Sequence, residues 1–278
     1  MFEQSSAPNT FIFDMDGTLL NDEHELSPVT IRALKDLRER GNQLVIATGR
    51  HFMDIRAYLE QLGGGIAAIT CNGALIHNAD GELIQRACLP LAVNETLLRL
   101  GEAAGVHLNM YTDSEWLVNA PCESMLDAHA QSQFFYRQTS LADMLTTPAL
   151  KILFYGENPR LQQLKTQILQ AGVPPIHLTF SDDYYLEAMP QHISKGDSLR
   201  TLAQHLSISL DRTMAFGDGL NDVEMFDTVT HPVVMSNASE KLQQLFPNAL
   251  RAESNHVDGV AKFLYEHVLL EEGIKVGR

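Results

Sequence analysis

Short apolar runs alternate with amphipathic segments over the first 70 residues. Residues 11–13, 44–47 and 66–70 form apolar runs bounded by turn-prone residues, a pattern typical of buried strands. Two segments between them, 28–41 and 55–62, carry apolar residues at helical spacing. This order of strand, helix, strand, helix and strand predicts a parallel sheet with right-handed crossovers.

The alternation breaks after residue 72. Residues 74–77 and 82–85 flank the turn sequence Asn-Ala-Asp-Gly at 78–81, which indicates a hairpin instead of another crossover. From there to about residue 190, predicted helices and short strands follow one another without a strand–helix rhythm. We interpret this stretch as an α+β domain inserted into the first one.

The alternating pattern returns after Pro190. A helix is predicted from Lys195, a buried strand over 213–216, a further strand over 233–235 and a closing helix over 257–270. The chain therefore contains two stretches of strand–helix alternation that flank the insert.

The predicted fold class is α/β. A doubly wound parallel sheet would be formed by residues 1–82 and 191–278, and the inserted α+β cap by residues 83–190. We expect the first two stretches to form the core that carries chemistry, and the insert to select the substrate.

Charge and composition exclude several classes of partner. Lys and Arg number 20 and Asp and Glu number 35, so the net charge is −15, which disfavours nucleic acid and anionic membranes. No apolar run approaches the roughly 18 residues of a membrane helix, and the first ten residues lack the features of a signal peptide. The three cysteines include no Cys-x-x-Cys pair, so neither a disulfide framework nor a zinc site is indicated. We expect a cytoplasmic protein, a monomer or weak homodimer.

Carboxylates follow two of the predicted parallel strands. Asp14 and Asp16 come directly after the first strand, and Asp218 follows the strand over 213–216. Thr48 ends a third strand, and Lys195 begins a helix whose free N–H groups favour an anion. Because ligand sites form at the carboxyl ends of parallel strands, we expect these groups to meet in one crevice.

Two other uses of these acids are weaker. A calcium loop starting at Asp14 would have Glu25 at position 12, but Leu19 stands where the sharp turn needs glycine. A dinucleotide loop over 217–222 would have Asp222 in place of its third glycine, and its acids would repel a pyrophosphate. A magnesium site is the better use of these carboxylates.

Four segments together resemble the motifs of the haloacid dehalogenase superfamily. They are Phe-Asp-Met-Asp-Gly-Thr-Leu-Leu at 13–20, Ala-Thr-Gly-Arg at 47–50, Ser-Lys-Gly at 194–196 and Gly-Asp-Gly-Leu-Asn-Asp at 217–222. With the insert, with Asn-Gly-Ala at 72–74 and with Asn-His-Val-Asp-Gly-Val at 255–260, the chain is most similar to the Cof-type subfamily IIB phosphatases.

The resemblance implies a mechanism. Asp14 would be the nucleophile that forms an aspartyl-phosphate, and Asp16 would protonate the leaving group and then deprotonate water. Mg²⁺ would be held by the carboxylates of Asp14 and Asp218 and by the backbone carbonyl of Asp16, with Asp222 supporting them from behind.

The resemblance also implies substrate-binding residues. Thr48, Gly49 and Asn221 would contact the phosphoryl group, and Lys195 would offset the negative charge of the carboxylates and the phosphate. For Arg50 we expect a structural ion pair.

Several reactions remain open on these motifs. A dehalogenase would need neither Asp16 nor Asp218, but a phosphomutase would keep all four motifs, and a phosphate sensor would keep the binding residues without turnover. The expected function is a magnesium-dependent phosphatase acting on a small phosphorylated metabolite, such as a sugar phosphate or a phosphorylated vitamin intermediate. Phosphate release from an aryl phosphate would distinguish a phosphatase from a phosphomutase and from a phosphate sensor.

Overall fold

The computed structural model describes residues 7–269 except 127, 128 and 131. The strands are β1 (Thr10–Phe13), β2 (Gln43–Ala47), β3 (Ala67–Thr70), β4 (Leu75–His77), β5 (Leu83–Arg86), β6 (His107–Tyr111), β7 (Trp116–Val118), β8 (Arg137–Gln138), β9 (Lys151–Tyr155), β10 (Ile176–Asp182), β11 (Tyr185–Pro190), β12 (Thr213–Gly217), β13 (His231–Met235) and β14 (Leu250–Ala252). The α-helices are α1 (Pro28–Glu39), α2 (Phe52–Gln61), α3 (Leu91–Ala103), α4 (Leu141–Thr146), α5 (Asn158–Gln170), α6 (Lys195–Leu206), α7 (Val223–Phe226), α8 (Glu240–Leu245) and α9 (Gly259–His267).

The larger sheet has eight strands in the order β14-β13-β12-β1-β2-β3-β4-β5. The first six of these run parallel, and β4 and β5 are added antiparallel at one edge. Because β1 lies between β12 and β2, Phe13 is level with Phe216 and with Ile46. The predicted α/β fold with a parallel core is confirmed, and the strand ends expected to carry the site lie side by side.

Both faces of this sheet are covered, because successive side chains of a strand point to opposite faces. Phe11 and Phe13 pack with α1, α2 and α9 in one core cluster, whereas Ile12 packs with α6, α7 and α8 in another. Helix α1 begins at Ser27, whose hydroxyl accepts the N–H of Thr30 at 3.0 Å. The result is the doubly wound arrangement that the sequence predicts.

The second sheet has six strands in the order β10-β11-β9-β6-β7-β8. One of its faces is apolar and packs against α3, α4 and α5, with Leu108, Ile152 and Phe154 fully buried there. The alternate residues, among them Tyr111 and Lys151, point to the other face. That second face contributes to the cavity described below.

The position of one strand bears on a predicted domain boundary. Strand β5 lies beyond residue 82, on the insert side of the predicted division, yet it pairs with β4 in the larger sheet. The hairpin at 74–85 needs its second strand to satisfy the backbone of the first, so we propose that the cap begins after Arg86. The closing helix is shorter than the predicted 257–270, and residue 270 lies outside the described residues. Within the described part of the chain, no helix combines the length and the apolar character needed to cross a bilayer.

Candidate active site

The expected site residues meet at one edge of the larger sheet. Strands β1, β2 and β12 all end there, and the segments that follow them line a single cavity of about 620 Å³. The core side of this cavity is formed by Asp14, Asp16, Thr48, Gly49, Arg50, Asn72, Asp218, Gly219 and Asn221, among others.

A tight turn after β1 brings Gly17 and Thr18 against Asp218, which follows β12. Gly17 has φ +72°, and a Cβ on this residue would overlap the carboxylate of Asp218. The hydroxyl of Thr18 donates to Asp218 Oδ1 at 3.1 Å. The Gly-Thr pair is therefore required by the close approach of this turn to Asp218.

Lys195 connects two carboxylates behind the cavity wall. Its Nζ donates to Asp14 Oδ1 and to Asp222 Oδ1, each at 2.7 Å, and its side chain is fully buried. Ser194 starts α6 just before it, because its hydroxyl accepts the N–H of Asp197 at 3.1 Å. Burial lowers the pKa of Lys195, but the two carboxylates outweigh it and raise the pKa overall. Lys195 is therefore a fixed cation beside Asp14.

Asp222 holds the loop that carries Asp218. Its Oδ2 accepts the backbone N–H groups of Asp218 at 3.1 Å and Gly219 at 2.9 Å, while its Oδ1 binds Lys195. A Cβ at Gly217 would overlap this carboxylate, so the glycine permits the close packing. With both oxygens engaged, Asp222 orients other groups.

Three carboxylates lie close enough to share a cation. Oxygens of Asp14, Asp218 and Asp222 all lie within 4.8 Å of one another. Burial raises the pKa of Asp14 well above its usual range, with the charges of Asp222 and Asp218 adding to the effect and Lys195 opposing it. Burial also raises the pKa of Asp218 to about 6. A group of carboxylate oxygens whose negative charges need compensation suits Mg²⁺.

Two nitrogens of the Arg50 guanidinium bind the two carboxylate oxygens of Asp16. Its Nε donates to Asp16 Oδ2 at 2.8 Å and one terminal nitrogen donates to Asp16 Oδ1 at 2.7 Å, while the other lies 3.3 Å from Asp54 Oδ2. Burial raises the pKa of Asp16, but the hydrogen bonds and charge of Arg50 lower it by more, so the net shift is downward. The expected ion pair of Arg50 is thus made with Asp16 itself.

The remaining core residues complete the core side of the cavity. Thr48 is buried, and its hydroxyl accepts the N–H of Arg50 at 3.1 Å. The side chain of Asn221 donates to Asn72 Oδ1 at 2.9 Å, and Asn72 lies against Gly49. Our sequence-based set of site residues omitted Asn72. Its signal was the Asn-Gly turn directly after β3, at the same sheet edge as the other motifs.

Core and cap touch directly around the cavity. The ring nitrogen Nε2 of His51 donates to the carbonyl of Thr112 at 2.8 Å, and the ring stacks on Phe134 with centroids 4.7 Å apart. Asp54 Oδ1 lies 3.0 Å from Nδ1 of His129 in the cap. These two hydrogen-bonded contacts leave no local signal in the sequence, because their partners lie 61 and 75 positions away along the chain.

The cap also contributes a wall of the cavity, which the sequence left unassigned. Its residues there are Tyr111, Met125, His129, Lys151, Leu153, Tyr185 and Glu187.

Comparison with known proteins gives the family. Residues 11–264 match the family model described as haloacid dehalogenase-like hydrolase. The chain belongs to this family. It is 36% identical over 236 residues to the HMP-PP phosphatase of Serratia proteamaculans, covering 84% of this chain and 86% of that protein. The HMP-PP phosphatase of Cronobacter sakazakii is also 36% identical, over 85% of this chain and 87% of its own length.

A solved structure shares the whole architecture. A haloacid dehalogenase-like hydrolase from Bacteroides thetaiotaomicron superposes with a TM-score of 0.86 at 25% identity, covering 93% of this chain and 99% of its own. The expectation of a phosphatase of this superfamily, with an inserted cap, is confirmed by these relatives.

Proposed function

We propose that this protein is a magnesium-dependent phosphatase that hydrolyses small phosphomonoesters through an aspartyl-phosphate on Asp14. The observation that carries the proposal is the placement of Asp14 between the buried ammonium of Lys195 and a cavity that also contains the paired Asp16 and Arg50. A nucleophile and a group that can exchange a proton thus line one cavity, with a fixed cation directly behind the nucleophile.

In the first half-reaction, the Asp14 oxygen that does not bind Lys195 attacks phosphorus. The bond between phosphorus and the ester oxygen breaks, and Asp16, which must be protonated and released from Arg50 for this step, gives its proton to that oxygen as the alcohol leaves. In the second, Asp16 takes a proton from water, whose oxygen attacks the phosphoryl group on Asp14. Inorganic phosphate leaves and the Asp14 carboxylate is restored.

The carboxylates of Asp14 and Asp218 and the backbone carbonyl of Asp16 would hold Mg²⁺, which when bound supplies positive charge against the carboxylates and the phosphoryl oxygens. Thr48, Gly49 and Asn221 line the wall where those oxygens would lie. Asp222 keeps the Asp218 loop in place through its two backbone hydrogen bonds.

Cavity size supports a small substrate. About 620 Å³ lies within the range of small-molecule sites, and most of the cavity's cap wall is uncharged. We therefore propose a sugar phosphate or a phosphorylated cofactor intermediate, handled in the cytoplasm. HMP-PP, for which the relatives are named, is a diphosphate whose terminal phosphoryl group could be transferred to Asp14 in the same way, and it is the first individual compound to test.

The test is release of inorganic phosphate from a panel. It should contain HMP-PP, several sugar phosphates, pyridoxal phosphate, flavin mononucleotide and p-nitrophenyl phosphate, each compared by kcat/KM with Mg²⁺ present. We expect turnover of at least one small metabolite, and none with Asp14→Asn at any Mg²⁺ concentration. Wild-type rates in Asp14→Asn would refute the nucleophile, and a preference for phosphoprotein or nucleic-acid ends would refute the substrate class.

A further inference from the structure

Four side chains of the second sheet, the one that belongs to the cap, line the cavity. Tyr111 of β6 is level with Lys151 of β9, and Leu153 of β9 is level with Glu187 of β11. Alternation along each strand puts these four residues on one face, and all four line the cavity. The opposite face carries the apolar residues that pack against the cap helices.

Lys151 and Glu187 form a buried ion pair on this face. Lys151 Nζ lies 3.1 Å from Glu187 Oε2, and the two side chains are 9% and 8% exposed. The ammonium also lies 4.8 Å from the centre of the Tyr111 ring. Burial lowers the pKa of Lys151, but Glu187 and other neighbours raise it by more, so the lysine stays charged.

This pair lies in the part of the cavity that a leaving group would occupy. The carboxylates of Asp14 and Asp16 are in the core wall, so a phosphoryl group bound there directs the rest of its ester toward the cap wall. The pair supplies N–H donors from Lys151 and carboxylate acceptors from Glu187, side by side and with no net charge.

We propose that Lys151 and Glu187 bind the organic part of the leaving group, and that they select an uncharged organic part with a hydrogen-bond donor and an acceptor on neighbouring atoms. The inference rests on the proposed phosphatase function. Two kinds of compound present this pattern: a sugar with vicinal hydroxyls, and a nitrogen heterocycle with an amino group beside a ring nitrogen. In each, the donor would bind Glu187 and the acceptor would bind Lys151.

The pair disfavours a second phosphate at this place. A phosphate placed against the ion pair would be attracted by Lys151 but would meet the Glu187 carboxylate about one hydrogen-bond length away. The two charges therefore cancel for an ion and cooperate only for a group that both donates and accepts.

Matched pairs of substrates test the proposal. Ribose 5-phosphate is compared with 2-deoxyribose 5-phosphate, and 4-aminopyrimidin-5-ylmethyl phosphate with pyrimidin-5-ylmethyl phosphate. The members that carry both the donor and the acceptor are ribose 5-phosphate and 4-aminopyrimidin-5-ylmethyl phosphate. In at least one pair, we expect the wild type to prefer this member by about tenfold or more in kcat/KM, as loss of a hydrogen bond to a charged group predicts. In Lys151→Met and in Glu187→Gln, that preference should fall to within about twofold.

Two further variants serve as controls, one for misfolding and one for the loss of an ion pair elsewhere in the cap. The double variant Lys151→Met with Glu187→Leu leaves no unpaired buried charge, and exchanging a buried ion pair for apolar residues is often tolerated. It should melt cooperatively and lack the preference. The matched control is Arg137→Met with Glu115→Gln, which removes an exposed cap pair with an N–O distance of 2.7 Å and should keep the preference.

The outcomes separate the two proposals. Normal phosphate release with the preference unchanged in the folded double variant would show that the pair is structural, and the subsite would be refuted alone. Faster release from a diphosphate in Glu187→Gln and slower release in Lys151→Met, with no effect on either matched pair, would also overturn it. No release from any ester, including p-nitrophenyl phosphate, would refute the phosphatase function itself.

Discussion

The ammonium of Lys195 lies 2.7 Å from Asp14 Oδ1, with no exposure to solvent. A second carboxylate, that of Asp222, lies at the same distance from Nζ. Burial raises the pKa of Asp14, and the lysine is the described group that most opposes this rise. The ion pair between Lys195 and Asp14 therefore stabilises the fold and also favours the ionised, nucleophilic form of Asp14.

We predict that Lys195→Met loses both properties. Removing one partner of a buried ion pair costs about 3–5 kcal/mol, because the remaining charge is buried without a partner. Urea denaturation should show this loss, and phosphate release should stop. Lys195→Arg should restore only part of the activity, because a planar guanidinium does not reproduce a compact ammonium.

An exposed lysine provides the control. Lys262 pairs with Glu253 at the surface, and Lys262→Met should change stability by less than about 1 kcal/mol. If Lys195→Met kept wild-type stability and inhibition by orthophosphate, its assignment to the site would be wrong.

Gly17→Ala should abolish turnover. The residue has φ +72°, and the added methyl group would overlap the carboxylate of Asp218, which must then move. Gly81→Ala is a matched control, because Gly81 has φ +80° with nothing within 4 Å of the added atom. Both substitutions carry a backbone cost of about 1–2 kcal/mol, and thermal melting should show a further loss in Gly17→Ala because of the overlap. Only Gly17→Ala should lose phosphate release, and equal activity in the two variants would contradict the close approach.

Chelation should stop the reaction, and added Mg²⁺ should restore it. In the absence of substrate, Mg²⁺ at ten times its dissociation constant should stabilise the fold by about 1.4 kcal/mol, which calorimetry can detect. Asp218→Asn should weaken this stabilisation, because the carboxylate loses its charge in the group of acids within 4.8 Å. An unchanged response to Mg²⁺ in Asp218→Asn would remove this residue from the metal site.

Acid should destabilise the fold through His51, at the start of α2. Its Nδ1 accepts the N–H of Met53 at 3.1 Å while Nε2 donates to Thr112, so the folded protein requires the neutral ring. Burial lowers its pKa to about 4, against 6.5 for an ordinary histidine. Between these values the unfolded chain binds the proton and the folded one does not, so stability falls as pH drops from 6.5 toward 4.

The expected loss from this one group is on the order of 3 kcal/mol. Urea titrations at pH 7 and pH 4.5 should measure it. His51→Asn keeps a side-chain acceptor for the Met53 N–H but has no titration in this range, so its stability should depend less on pH. An equal slope in the variant and the wild type would assign the acid effect to other groups.

Local signals explain how much of this molecule the sequence predicts. Buried strands such as β1 are apolar throughout, and the acids that follow them stand at turn residues, so the core sheet and its edge could be anticipated from short segments. The pairing of Lys151 with Glu187 could not, because it depends on the register of antiparallel strands 36 positions apart. The same holds for Asn72 and Asn221, which meet only when the sheet is assembled.

The hydrogen bond from His51 to Thr112 gives the molecule an internal reporter. A proton on Nε2 that is held against a carbonyl of the opposite part is shielded from water only while core and cap are in contact. Its exchange rate, read from the imidazole resonance in an NMR spectrum, would therefore count how often the two parts separate, in the resting protein and during turnover.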